Sequence, residues 1–248
     1  MNWKSRFNIE PIKFTKLFSS LRLPTTLTEG QLTSYKSLLR KRAHESELSP
    51  WPLVPNASRV LCSSNALYSP DVGIFASTLS AYSPESLLHD DFTELAQLLK
   101  KFHLNNQLTF DSFKFCAGVV NDRTATQADN IIHRHIANEL YLCLRDTLIW
   151  DRDISGLDRW EELNEFRFVP CSLTRCPYTL SVPLETFIKP LPSVLRPNEV
   201  VISEFERVAW SQRALLEHQP TEHLLVGFKT FGVPTIDEVV SIYDFVRI

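Results

Sequence analysis

The sequence predicts an α+β fold in which helices pack on short, mainly antiparallel strands. Three observations predict it. Apolar residues recur at helical spacing in several windows, most of them opened by a capping residue. Short runs in the last third of the chain alternate apolar with polar, as half-buried strands do. Proline steps such as "SPWPLVPNAS" break helix and enforce extended backbone between these regions. The chain of 248 residues is 44% hydrophobic and 22% charged, which suffices for a buried core without a disulfide or a metal.

The first helix is announced by "TEGQ", Thr28 to Gln31, a capping box with a hydroxyl at the cap and an amide side chain three residues later. The spacing predicts that it runs to about Glu45. Leu32, Tyr35 and Leu39 form its apolar side, so the basic run "KSLLRKR", Lys36 to Arg42, lies on its wet side. Pro50, Pro52 and Pro55 then mark a boundary or linker. "DFTE", Asp91 to Glu94, is a second capping box, predicting a helix through Lys101 with Phe92, Leu95, Leu98 and Leu99 on one side. Thr109 opens another, in which Phe110, Phe113, Ala117 and Val120 repeat at helical spacing. A longer helix is expected from about Gln127 to Trp150, with a stripe of Ile132, Ile136, Leu140, Cys143 and Thr147.

Strand-like alternation follows in "FRFVPCS", Phe166 to Ser172, in "EVVISEF" and in "RVAWSQ". A final helix, "TIDEVVSIYDFV", is capped by Thr235 with Glu238 three residues on. The chain stops two residues after Val246, inside that helix, which leads us to expect a segment of a longer polypeptide. The organisation expected is an N-terminal helical segment over 1–49, a helix-rich unit over 50–155 and an α+β unit over 156–248. Whether these pack together as one domain is left open. A faint internal echo links "PLVPNAS" at Pro52 with "RFVPCSL" at Arg167: both carry an apolar-Val-Pro step into a small polar residue.

The formal charge of -3, with both signs interspersed, gives no field to gather nucleic acid or acidic lipid. The N-terminus is too polar for a secretory signal and no apolar run reaches membrane-spanning length, so a cytoplasmic location is expected. Cys62, Cys116, Cys143, Cys171 and Cys176 are odd in number and widely spaced, and read as small hydrophobes. The six glycines are scattered, which excludes the common phosphate-cradling loops; no cofactor is expected.

Candidate chemistry is sparse. "HRHIANE" places His135 and Glu139 one helical turn apart, with His133 pointing elsewhere. "CSLTRC", Cys171 to Cys176, lacks a second ligand pair. Asp151, Asp153 and Asp158 in "WDRDISGLDRWEE" suit helix-start and turn roles. A hydrolase or transferase with a dispersed site near His133, His135 and Glu139 is the alternative function; it predicts a cleft where these groups converge.

The most distinctive stretch is "LVPNASRVLCSSNALYSPDVGIFASTL" followed by "SLLHDDFTELAQLLKKFHLNNQLTFDSFKFCAGVV". A Val-Pro step, a Leu-Tyr-x-Pro-Asp turn, a Leu-His-x-Asp-Phe step and a second helix opened by Thr follow in that order. This resembles the repeat of sacsin and fungal sacsin-like proteins, large chains that usually carry a chaperone-type GHKL ATPase domain elsewhere. Here Ser69 stands where that turn usually has Asp, and Phe102-His103 where its linker has Leu-Gly. Near the C-terminus, Trp210, Ser211, Gln212, Gly232 and Pro234 are similar to the Trp-Ser-Gln strand and Gly-x-Pro turn of those proteins.

The resemblance implies a non-catalytic protein-interaction or chaperone-associated scaffold module whose partners are protein clients or other repeats of a larger chain, with no nucleic acid and no membrane. Leu67, Tyr68, Pro70, Asp71, Trp210, Gln212, Gly232 and Pro234 are then structural. Pro70 fixes one dihedral angle, Asp71 is expected to bond amides two residues on, and Tyr68 and Phe75 fill apolar space. Trp210 and Gln212 share one face of a strand and serve a core.

Overall fold

The computed structural model describes residues 26–42, 52–127, 131–146, 161–173, 194–201 and 214–216. The coarse α+β class holds: the described residues are mostly helical, with two short sheets. The chain divides into two compact units, one of Met1–Val72 with Pro84–Gln107, the other of Gly73–Ser83 with Leu108–Ile248. The first unit runs across position 50, and the second takes one helix from the middle of the first.

The first unit begins with α1, Glu29–Arg42. Its start follows from the sequence: the Gln31 side chain accepts from the Thr28 backbone N–H at 2.8 Å, half of the expected box. Leu32, Tyr35 and Leu39 are buried, as the spacing predicts. Pro52 to Asn56 is no linker. Leu53 and Val54 are buried, and Val54–Pro55 forms β1, paired antiparallel with β2, Leu61–Cys62. Proline is tolerated because it opens no ladder bond in so short a strand.

The second capping box is also corrected. The segment starts as a 3-10 turn over Asp90–Leu95, passes through the short α2, Ala96–Leu99, and ends in a 3-10 turn over Lys100–Phe102. Its cap is His89, whose Nδ1 accepts from the Asp91 N–H at 3.2 Å. The apolar side survives the change of geometry: Phe92, Leu95, Leu99 and Phe102 are buried with Leu53, Val54, Leu67 and Leu88 in one cluster.

Among its described residues the second unit has three long helices: α3, Gly73–Tyr82; α4, Phe110–Gln127; and α5, Ile131–Asp146. Thr109 caps α4 as expected, its Oγ1 accepting from the Ser112 N–H at 3.2 Å while Ser112 Oγ accepts from the Thr109 N–H at 2.8 Å. Phe110, Phe113, Ala117 and Val120 are buried. On α5 the buried face is His133, Ile136, Ala137, Leu140, Tyr141 and Leu144, rotated from the expected stripe. Ile132 is 62% exposed, Cys143 is half-buried, and Thr147 lies outside the described residues. The rotated face is the wider apolar surface, since Ala137, Tyr141 and Leu144 join Ile136 and Leu140.

The sheet of this unit runs in the order β4-β3-β6-β5, from β3, Val169–Leu173; β4, Val194–Leu195; β5, Val200–Val201; and β6, Ala214–Leu216. The β3–β4 and β3–β6 pairs are antiparallel and β5–β6 is parallel. Val200–Val201 falls inside the expected "EVVISEF" strand; "RVAWSQ" and the final helix lie outside the described residues. Half-burial fails for β3: Phe168, Val169, Pro170 and Cys171 are buried in succession, because α5 packs on the strand and Phe113 meets Phe168 edge to face at 5.5 Å. The Val-Pro echo has a structural counterpart. Val54-Pro55 and Val169-Pro170 are both buried and each pairs antiparallel with a short strand.

Candidate functional site

In the first unit, the Leu67–Asp71 stretch is a crossing point of backbone bonds. Tyr68 donates its N–H to Ser86 O at 2.9 Å and accepts from the Leu88 N–H at 3.0 Å. On its other edge, Ser69 N–H meets Asn105 O at 2.9 Å and Asn105 N–H meets Leu67 O at 3.0 Å. The Asn105 side chain adds bonds to the Asn65 and Leu67 carbonyls at 3.0 and 3.1 Å. One extended segment thus holds two others that form no regular sheet. Leu67 is fully buried and anchors it in the core cluster.

The turn itself spans Ser69 to Val72, closed by the Val72 N–H on Ser69 O at 3.2 Å, with Pro70 at the position where its fixed dihedral suits a β-turn. Asp71 does not take the expected role. Ser69 does, its Oγ accepting from the Asp71 N–H at 3.4 Å and donating to Asp71 Oδ2 at 3.2 Å. Ser69 is fully buried and Asp71 exposed, so the residue screened from water is the one whose hydroxyl serves the backbone. Trp210, Gln212, Gly232 and Pro234 lie outside the described residues.

In the second unit, His133 points inward and is fully buried, while His135 and Glu139 are exposed. The three groups proposed for a dispersed active site therefore do not converge. His133 instead sits between Tyr82 on α3 and Thr124 on α4: Tyr82 Oη lies 2.9 Å from Nδ1 and Thr124 Oγ1 lies 3.3 Å from Nε2. Desolvation holds the imidazole below its ordinary pKa, and burial raises the Tyr82 phenol against the opposing Arg123 charge. Tyr82 and Thr124 were not marked by any motif. Thr124 does carry a signal: it continues the 113, 117, 120 spacing, a polar residue on a buried stripe.

The remaining candidates disperse. Among the described residues no three His, Cys, Asp or Glu side chains gather as a metal site. Cys116 is pushed up to about 12, chiefly by burial and then by Cys143, so its thiol stays protonated at neutral pH. Cys171 is buried; Cys176, Asp151, Asp153 and Asp158 lie outside the described residues. Glu162 pairs with Lys114 at 2.6 Å. Among the described residues no helix is long and apolar enough to cross a membrane. Comparison with protein families, curated proteins and solved structures finds no match.

Proposed function

We propose that the chain is a non-catalytic protein-interaction or chaperone-associated scaffold module of the sacsin-like kind, acting in the cytoplasm on protein clients or on other repeats of a larger protein. The observation that carries this reading is the separation of the candidate catalytic groups: His133 is buried with both ring nitrogens engaged, and His135 and Glu139 face solvent. Polar side chains at the signature turn bond backbone, which is what a scaffold asks of them. The linker supports the resemblance in one further detail. His103, standing where the repeats have glycine, adopts a left-handed φ of 64°, a conformation glycine reaches without strain.

Contact with a client would use exposed apolar surface, and Ile131 and Ile132, 86% and 62% exposed at the start of α5, supply it. The test is suppression of aggregation of a thermally unfolding client by the full chain. The expected outcome is a several-fold slower rise in light scattering at stoichiometric ratio, weakened in the Ile131→Ser, Ile132→Ser double variant. No slowing at tenfold excess would overturn the client-binding reading.

A further inference from the structure

The buried histidine has a direction as well as a position. Thr124 has one hydroxyl hydrogen, and it goes to the Val120 carbonyl at 3.1 Å. Toward His133 the threonine oxygen can then only accept, so Nε2 carries the imidazole hydrogen. Nδ1 is left with a lone pair, and the Tyr82 O–H donates to it. The bonds therefore run in one sense: Tyr82 on α3 donates to His133 on α5, which donates to Thr124 on α4, which donates to its own helix backbone. Every hydrogen is used once and every partner is buried: Tyr82 is 7% exposed, Thr124 3% and His133 fully covered.

A second proton on the ring breaks this order. Nδ1 would become a donor, so the Tyr82 oxygen would have to accept, and its own hydrogen would need a new acceptor in a place closed to water. The added charge would also be isolated. The α3 helix contributes no ionisable side chain besides Tyr82. On α4 the charged group tied to the site is Arg123, a cation that donates to the Tyr82 carbonyl at 3.3 Å and would repel a second positive charge. On α5, Arg134, His135 and Glu139 flank His133 in sequence, with His135 and Glu139 exposed. Among the described residues no carboxylate pairs with His133.

We propose that the Tyr82–His133–Thr124 relay is an acid-sensitive latch, locking α3 to α4 and α5 at neutral pH and releasing when the imidazole is protonated. The sign follows from linkage. Neutral His133 is the folded form, so below the ordinary imidazole pKa of about 6.5 the unfolded chain binds a proton that the folded chain refuses. Stability contributed by the neutral ring is present above that pH and lost as pH falls toward the lowered folded value. One uncompensated proton raises the unfolding equilibrium constant up to tenfold per pH unit.

The test is urea unfolding of the full chain from pH 7.5 to 5, comparing the native protein with His133→Gln and His135→Gln. The native protein and His135→Gln are expected to lose up to tenfold more in folding equilibrium per pH unit below about 6.5 than His133→Gln. Identical pH profiles for all three would overturn the latch. If His133→Gln does not fold, nitrogen-resolved NMR of the native histidines decides the matter. One ring fixed with its hydrogen on Nε2 and not titrating through pH 6 is expected; titration of every histidine near its ordinary value would overturn the proposal.

Discussion

The two units differ in how they satisfy buried polar groups. Apart from α1, the described residues of the first unit form fragments: two-residue strands, 3-10 turns of three to six residues and the four-residue α2. Such pieces leave many of their N–H and C=O groups without partners of their own; the backbone of other segments supplies most of these, and side chains supply several more. Tyr35 Oη donates to Leu53 O, Ser64 Oγ to Phe102 O, and Asn56 and Asn105 each bridge separate segments. Among the described residues the second unit has, beside short strands, helices of 10, 18 and 16 residues whose interiors satisfy their own backbone. Three of its buried side chains, Tyr82, His133 and Thr124, bond one another as well, and Thr124 also bonds its own helix backbone. Polar side chains in the first unit therefore bond mainly backbone, whereas the second unit also holds a buried side-chain series, the one on which the proposed latch rests.

The largest effect that would break this contrast lies at Asn56. Its Oδ1 accepts from Val60 N–H at 2.8 Å and its Nδ2 donates to Glu85 O at 2.9 Å, and it is 2% exposed. Asn56→Ala removes two bonds to the backbone at once and is expected to cost about 1–3 kcal/mol in urea unfolding. Asn56→Asp keeps the acceptor for Val60 but sets a carboxylate oxygen against the Glu85 carbonyl and buries a charge, so at neutral pH it should recover none of that loss. A cost near zero for Asn56→Ala would mean that the first unit holds its shape by apolar burial alone.

A smaller effect, of opposite sign, is expected at His103. The residue ends the Lys100–Phe102 turn with its N–H on Lys100 O at 3.1 Å and is exposed, so its side chain contributes little to set against a φ of 64°. A left-handed residue other than glycine costs roughly 1–2 kcal/mol. Glycine recovers this and gives back about 0.5–1 kcal/mol in unfolded-chain entropy. His103→Gly should therefore raise stability by up to about 1 kcal/mol, read as a higher melting temperature. A loss of stability would show that His103 makes a contact worth more than the strain.

The sequence carried the second unit's helices better than the first unit's fragments, and the reasons are local. Thr109 and the 110, 113, 117, 120 spacing make a signal over about three turns, long enough for periodicity to decide. On α5 the same signal is ambiguous by one residue, because apolar side chains occupy two adjacent faces; the inward turn of a histidine is what a hydrophobic stripe cannot show. In the first unit the "DFTE" pattern is real in composition but His89, two residues earlier, reaches the Asp91 amide first. At the turn, Ser69 and Asp71 are both residue types that bond an amide two residues on, and the sequence does not show that Ser69 is the one that does. Asn105 had no signal at all, since its partners, Asn65 and Leu67, lie about 40 residues away in the chain.

The smallest expected effect probes whether the first unit draws on side-chain pairing as well. Lys36 and Arg40, one turn apart on α1, both reach Glu94, with Lys36 Nζ at 3.2 Å. The geometry ties α1 to the Asp90–Leu95 turn, yet Glu94 is 49% exposed and Arg40 62% exposed, so water and salt compete for every charge in the trio. Glu94→Gln keeps the side chain's length and removes its charge; the cost should be about 0.2–1 kcal/mol and should shrink further in molar salt. A loss comparable to that of Asn56→Ala, unchanged by salt, would mean that α1 is fixed by this ion pair and not by the burial of Leu32, Tyr35 and Leu39. The contrast between the units would then rest on regularity of the backbone alone, since both would use side chains on side chains.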